Sequence, residues 1–380
     1  MRRLLFVSNG HGEAAVAARL AQDVRGLAGT PLTIDHLPLV GEGVANDALE
    51  DVGPRRAMPS GGLVAMGNVR ALYADFRAGL ATLVARQAFF LRNEGVRYDA
   101  TIAVGDAYAL ALTLLAGRAP IYVGTAKSVY VAPYGPGERL LLRKAKRVFV
   151  RDEPTAAELR RRGVRAEAPG NVIVDLLGDA QGPPPDGEWL ALLPGSREPA
   201  YADAVRLARV VHALAQRRPG FGALLSIAPA LDAERFARLL SDDGWSVSAH
   251  GGALFGASRN GTRLLAWRGA SGAMLRGSRL ALGQAGTANE QAAAFGLPIV
   301  VLEPSGRDAL NGWYRMRQRR LLGEALLIVP ADGDEAAARI DALLADPDRM
   351  AAMAAAGRRR MGAPGGSRAI AGAILEAVSS

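Results

Sequence analysis

Residues 281–301 read ALGQAGTANEQAAAFGLPIVV. An apolar run ends at Gly283, a glycine-containing turn follows, TANEQAAAF has helical composition, and PIVV is apolar and β-branched again. Strand, turn, helix and strand in that order make one unit of a parallel sheet with a crossover helix. The same alternation runs along the chain. Apolar runs fall at 3–8, 32–37, 100–104, 120–123 and 147–150, with helical stretches from about Gly12, Val69, Ala107, Gly137 and Pro154 between them. A second series of runs falls at 189–193, 223–227, 262–266, 280–283, 298–302 and 326–329. GDAQGPPPDGE, at 178–188, separates the two series; its three prolines and three glycines suit an exposed linker. The expected fold is therefore α/β: two Rossmann-like, doubly wound domains, 1–180 and 188–345, joined by 181–187. Their strand C-terminal loops are expected to face each other across one cleft. Ala-rich helices fill 346–380, broken at Pro347 and at APGG (363–366), and are free to pack back on the N-terminal domain.

Composition narrows the classes of function. The 380 residues include no cysteine and four scattered histidines, His11, His36, His212 and His250, so no thiolate or HExxH-type metal site is expected. The formal charge of +9 points to an anionic partner. Only three of the 46 basic residues are lysines, however, and no RNA-binding or zinc-finger signature is present; nucleic acid is not an expected partner. The N-terminal run LLFV is too short for a signal core, and nowhere do about eighteen apolar residues run uninterrupted. The expectation is a cytoplasmic protein resting at most on the inner face of the cell membrane. The segment 69–92, VRALYADFRAGLATLVARQAFFLR, offers one means of doing so. Val69, Leu72, Tyr73, Phe76, Leu80, Leu83 and Val84 form a helical stripe with Arg70, Arg77, Arg86 and Arg92 in the same segment, suited to anionic lipid or to packing on its own sheet.

Three loops follow strands directly. In the opening one, VSNGHGEAA (7–15), Gly10, Gly12 and Ala15 have the spacing of a dinucleotide-binding turn, and Asp35 lies at the distance of a ribose-binding acid. Glu13 argues against a diphosphate there. At roughly 5 Å and an effective dielectric of about 20, like charges repel by about 3 kcal/mol. Asn9, Gly10 and Gly12 therefore suit a neutral, hydroxyl-bearing ligand, or merely a turn. In LLPGSREPAY (192–201), Gly195 and Ser196 can present amides and Arg197 a guanidinium fork to phosphate, with a plain surface turn as the alternative. In the third loop, Gly286 and Thr287 open a helix whose amides suit a diphosphate, and Glu290 can accept both hydroxyls of a ribose. TANE is also a capping-box pattern, which would use the same residues for the helix alone.

Taken together these residues carry a resemblance. PGSR followed about ninety residues on by GTANEQAAAFGLPIVV resembles the GT-B nucleotide-sugar glycosyltransferases. More narrowly, SNGHGE, KRVFVRDEPTAAELRRRGV (146–164), GNVIVD (170–175) and QRRLLG (318–323) are similar to the lipid-A-disaccharide synthase-related proteins. That resemblance implies a UDP-sugar held mainly by the C-terminal domain and an acceptor held by the N-terminal one. It places Arg197, Thr287 and Glu290 on the donor's diphosphate and ribose, with Gly195, Ser196, Gly286 and Asn289 shaping those loops. True synthases join UDP-2,3-diacylglucosamine to 2,3-diacylglucosamine 1-phosphate with inversion and release of UDP. They carry a GEASGD-type first loop and an Asp-x-Pro-Asp-Phe pattern; this chain has GHGE, and of the second pattern keeps only Asp106.

The implied reaction is an inverting, metal-independent transfer of a GlcNAc-type sugar from a UDP-sugar to a lipid or lipid-linked acceptor, with no cofactor. Helix ends and Arg197 stabilise the departing UDP. His11 is the first choice of base, with Glu13 orienting or replacing it and Asp106 third; a non-catalytic loop histidine is the alternative. Asp332-Gly333-Asp334 mimics a DxD metal motif but is expected to be a helix N-cap. The competing functions are a UDP-N-acetylglucosamine 2-epimerase-like enzyme and a nucleotide-binding protein without transferase activity.

Overall fold

The computed structural model describes residues 2–41, 43, 47–56, 75–177, 186–269, 272–303 and 309–379, without the side chains of His11 and 309–314. The chain divides into two compact units, Met1–Leu176 with Gly362–Ser380, and Leu177–Met361.

The first unit is built on a seven-stranded parallel sheet. Its strands are β1 (Arg2–Asn9), β2 (Leu32–Val40), β3 (Glu50–Asp51), β4 (Ala100–Gly105), β5 (Ile121–Gly124), β6 (Arg147–Phe149) and β7 (Ala166–Glu167), in the order β3-β2-β1-β4-β5-β6-β7. Its helices are α1 (His11–Leu27), α2 (Leu80–Glu94), α3 (Ala107–Thr113), α4 (Pro136–Leu142), α5 (Glu153–Arg161) and the short α6 (Val172–Asp175). Leu4, Phe6, Ile102 and Val104 are fully buried against Val16, Ala17, Leu20, Ala21 and Val24 of α1. Each large apolar side chain so buried contributes roughly 1.5–3 kcal/mol, which sets the strand register more firmly than local propensity does.

The second unit repeats the plan. Strands β8 (Glu188–Leu193), β9 (Phe221–Ile227), β10 (Ser246–Ser248), β11 (Phe255–Arg259), β12 (Thr262–Arg268), β13 (Ser278–Gly283), β14 (Ile299–Leu302) and β15 (Leu326–Val329) lie in the order β10-β11-β12-β9-β8-β13-β14-β15. From β12 to β15 the pairs are parallel; β10, β11 and β12 pair antiparallel. The β11–β12 hairpin turns at Asn260 (φ 45°) and Gly261 (φ 80°), the left-handed pair that a tight hairpin needs. The helices are α7 (Ala200–Arg217), α8 (Ala233–Asp242), α9 (Gly272–Arg276), α10 (Thr287–Phe295), α11 (Ala309–Leu322), α12 (Gly333–Leu344) and α13 (Pro347–Met361); α14 (Gly366–Ser379) belongs to the first unit.

Several elements depart from the sequence expectations. The helix expected over 69–92 is interrupted: Gly79 adopts φ +93°, and α2 starts afresh at Leu80. Leu80, Leu83 and Leu91 pack into the core with Leu5, Val7 and Leu37, whereas Phe76 is 63% exposed. Val69, Arg70, Leu72 and Tyr73 lie outside the described residues, as does most of the linker. The C-terminal helices divide between the units. Helix α13 stays with the second, Gly357 lying so close to α10 that a Cβ would come 2.4 Å from the carbonyl oxygen of Ala293.

Helix α14 is held on the first unit by the GNVIVD stretch. Both Asp175 carboxylate oxygens cap its start, accepting from the amides of Gly365 (2.6 Å) and Ser367 (2.7 Å). A Cβ on Gly170 (φ +144°) would fall 2.7 Å from the amide nitrogen of Gly366. Removing the Asp175 carboxylate strips two amides of a charged acceptor. Asp175→Ala is expected to lower stability by about 1–3 kcal/mol in urea unfolding, with faster hydrogen exchange at Gly365 and Ser367. Unchanged exchange there would refute the clamp.

Candidate functional site

In each sheet the strand order reverses direction once within the parallel part, between β1 and β4 and again between β8 and β13. Loops leaving the C-terminal ends of strands at such a switch point leave a crevice, the usual ligand position in open α/β sheets. All the residues singled out in the sequence sit at one or other of these two points. Asn9, Gly10, His11, Gly12, Glu13 and Asp106 lie at the first; Gly195, Ser196, Arg197, Gly286, Thr287, Asn289 and Glu290 lie at the second.

At the first switch point Gly10 (φ +113°) is the N-cap of α1 and supplies no side-chain cap. Glu13 fills that role. Its half-buried carboxylate takes up a hydrogen bond from its own amide and one from Thr125 Oγ1 (3.5 Å). Two glycines make room for it: a Cβ on Gly10 would lie 2.9 Å from Glu13 Oε2, and one on Gly105 (φ +126°) 2.9 Å from its Cγ. A diphosphate would need this same space, so the dinucleotide-like spacing encodes a carboxylate pocket. Asp35, the presumptive ribose acid of that spacing, is buried and committed, accepting from Arg3 Nη2 (2.9 Å) and the Tyr98 hydroxyl (2.8 Å).

Asp106 is also committed. It caps α3 by accepting from the amides of Tyr108 (3.0 Å) and Ala109 (3.1 Å), while its other oxygen accepts from Asn9 Nδ2 (2.9 Å). Asp106 stands beside Glu13. Burial first, then Asp106, push the Glu13 pKa above the ordinary carboxylate value. Glu13 is thus the titratable side chain of this loop whose surroundings the structure describes. The His11 side chain lies outside the described residues.

The sequence reading passed over several neighbours. Thr125, which meets Glu13, is buried after β5, and its carbonyl accepts from the buried Arg151 (3.5 Å). Lys127 pairs with Glu138 (2.6 Å), which also accepts from the Gly135 amide. The visible signal was Lys127 itself, one of three lysines in an arginine-rich chain. Ser8, His36 and Asp51 form a relay of hydrolase type, Oγ to Nε2 at 2.8 Å and Nδ1 to Oδ1 at 2.5 Å. Ser8 and His36 are both 0% exposed, however, so no substrate reaches the hydroxyl; the relay ties β1 to β2 and β3.

At the second switch point the two loops are joined. The amides of Gln284 and Ala285 both donate to the carbonyl of Leu193, at 2.9 and 3.1 Å. Beyond Leu193, Gly195 takes φ +122° and presents Ser196 and Arg197 to solvent. Helix α10 begins at Thr287 with Gly286 as N-cap and no side-chain cap. A capping box would require Thr287 to be the N-cap, so the competing TANE pattern is not formed. The amides of Gly286, Thr287 and Ala288 have no acceptor among the described residues. Thr287 is exposed, Glu290 half-buried, and Asn289 fully buried, donating to Gly283 O (3.5 Å). Arg315 of α11 reaches the same sheet edge, donating to Gln284 Oε1 (2.7 Å) and to the carbonyl of Leu302.

Asp332 accepts from the amides of Asp334 and Glu335 and is a helix cap. Among the described residues no three His, Asp or Glu gather as metal ligands, and no helix is long and apolar enough to cross a membrane.

No family model matches the chain, and no curated protein matches it. Solved structures do. The MnaA protein of S. aureus, solved with UDP, aligns with a TM-score of 0.58 at 12% identity over 100% of this chain and 98% of that one. The UDP-GlcNAc 2-epimerase of Methanocaldococcus jannaschii aligns at 0.57 and 12%, covering 99% and 100%. MurG of Acinetobacter baumannii aligns at 0.55 and 14%, again over 99% and 100%. At these identities the likeness establishes the fold, two Rossmann-like α/β units of GT-B type.

The environment of Glu13 makes a prediction about stability. Because its pKa is raised in the folded state, folding binds its proton, and the stabilisation this brings is lost as pH rises through the folded pKa. Glu13→Gln removes that loss. It is expected to melt at a higher temperature than the parent at pH 8, and the gap should close as pH falls below the ordinary carboxylate range. A lower melting temperature at pH 8 would mean that helix capping by Glu13 outweighs its burial.

Proposed function

We propose that the protein is a UDP-sugar-dependent enzyme whose second unit holds the nucleotide. The diphosphate lies on the amides of Gly286 and Thr287, the Thr287 hydroxyl and the Arg197 guanidinium; Glu290 takes the ribose hydroxyls. Gly195, Ser196 and Asn289 shape the two loops. The observation that carries this assignment is the uncapped start of α10 beside the Gly195–Arg197 loop, both hung on the carbonyl of Leu193. Free helix amides and an exposed guanidinium stabilise a departing UDP without a metal.

For the chemistry at the sugar, inversion at C2 of a UDP-GlcNAc-type substrate is the first reading. It needs a base that takes the C2 proton as the C1–O bond to UDP breaks, then an acid that returns a proton to the other face of C2 as UDP adds back to C1, and no acceptor. Glu13, with its raised pKa and the Asp106 carboxylate beside it, fits a proton-handling role. The alignment with a UDP-GlcNAc 2-epimerase and with a protein solved with UDP supports this choice. A second reading, transfer of the sugar to a lipid or lipid-linked acceptor, is favoured by a specific surface. Phe89 is 69% exposed on α2 with Arg86 and Arg92 on the same face, an apolar and basic pairing suited to an anionic bilayer. The alignment with MurG is compatible with it.

Calorimetry and deuterium exchange separate these readings. UDP is expected to bind, and Arg197→Ala to weaken it about tenfold or more, as the loss of a charge-assisted phosphate contact does. Incubating the protein with UDP-GlcNAc alone in D2O should place deuterium at C2 and produce the C2 epimer; Glu13→Gln should slow this by about 10²–10⁴-fold. UDP release that occurs only with added lipid acceptor, without C2 exchange, would select the transferase. Binding of NAD without UDP would sink both.

A further inference from the structure

Among the described residues, helix α11 carries one buried polar side chain, which the proposed site has not used. Gln318, 7% exposed, lies against the Gly286 turn. Its Nε2 donates to the carbonyls of Ala285 (2.7 Å) and Gly286 (3.5 Å), and its Oε1 accepts from Asn289 Nδ2 (3.3 Å). The partners dictate the orientation of this amide. Turned over, it would set an oxygen against two carbonyls and a nitrogen against the Asn289 donor. Asn289 is equally confined: a Cβ on Gly283 would fall 1.9 Å from its Oδ1, so only glycine fits beneath it.

A trans peptide holds its C=O and the following N–H antiparallel. Fixing the carbonyl of Ala285 toward α11 therefore turns the amide of Gly286 the opposite way, and the carbonyl of Gly286, which accepts from the Glu290 amide (3.2 Å) as well as from Gln318, does the same for the amide of Thr287. Those two amides have no acceptor among the described residues, and Thr287 is exposed. We infer that Gln318 is a positioning residue, fixing the Ala285–Gly286 peptide plane beside the one that the helix itself fixes, so that the Gly286 and Thr287 amides converge on an anion. In the nucleotide reading, on which this inference rests, that anion is the diphosphate. Without the Gln318 donor, the Ala285–Gly286 peptide loses the bond that fixes it, the Gly286–Thr287 peptide keeps its bond from the Glu290 amide, and the two amides no longer act together.

Two replacements separate orientation from packing. Gln318→Leu keeps an apolar filler of similar size, and Gln318→Glu keeps the shape but loses the donor. Amide NMR with inorganic pyrophosphate, and calorimetry with UDP and with uridine, form the readout. In the parent protein, pyrophosphate should shift the Gly286 and Thr287 amide resonances. Both variants should bind pyrophosphate and UDP about tenfold more weakly or worse and uridine unchanged, a phosphate-specific loss that general loosening of α11 would not produce. An unchanged UDP-to-uridine ratio in folded variants overturns the inference and leaves the nucleotide reading standing. Pyrophosphate shifts that vanish in the variants, with UDP binding no tighter than pyrophosphate, uphold it while the nucleotide reading falls. Parent amides that respond to neither ligand overturn both.

Discussion

Every helix begins with amides that its own backbone cannot satisfy, and the organisation of this protein turns on what takes them up. Two helices, α1 and α10, start at equivalent places, each just past the strand at a switch point in a parallel sheet. Neither N-cap, Gly10 or Gly286, has a side chain to offer. On α1 the need is met from within, by the carboxylate of Glu13 one turn along. On α10 no group among the described residues meets it. Like-charge repulsion makes these states exclusive, since a helix start already holding a carboxylate is a poor seat for phosphate. The two units thus share a fold but differ at these helix starts, one occupied by its own carboxylate and the other with amides that no described group accepts.

Glycine placement enforces this division. Gly10 and Gly105 leave space that the Glu13 side chain fills, so an alanine at either position would drive the carboxylate out of the crevice. Gly283 lies under Asn289 in the same way, and the buried Asn289–Gln318 contact orders the loop that follows. Gly105 and Gly283 end their strands, where a side chain would normally extend the sheet's packing. Their absence of a Cβ lets a polar side chain from the next helix fold back over the sheet edge instead.

The alternating architecture was legible because each parallel strand is covered on both faces and reads as an apolar run. The edge strands were less so: SVS at 246–248 and FGASR at 255–259 are short and partly polar, though the Asn260-Gly261 pair marks the turn from the second of them into β12. The helical period at 69–92 runs on through Gly79, where left-handed backbone breaks the helix. The site loops were found from their position after strands. What could not be read was which partner each side chain takes. Asp106 looks like a free strand-end acid and is a cap; Thr287 and Glu290 look like a capping box and are not one. Gln318 meets Ala285 from 33 residues away, a contact with no local pattern.

The net charge of +9 shows the same limit and how structure lifts it. Most arginines have local occupations that fix neither function nor much stability, since exposed ion pairs contribute little. Arg235 pairs with Glu198, Arg268 donates to the carbonyls of Ala228 and Leu231, and Arg315 is spent on Gln284 and Leu302. Arg197 stands apart from these. Between Ser196 and Glu198, at the end of β8, its guanidinium is exposed and has no partner among the described residues. Its immediate neighbour Glu198 is the natural partner, yet that carboxylate is held by Arg235, and the pairing leaves Arg197 available. A guanidinium kept unpaired beside an uncapped helix start gains its full charge-assisted bonds only when an anion arrives. Bulk basicity therefore says little about partners here, and what sets Arg197 apart is its place at the end of β8, next to the loop that opens α10.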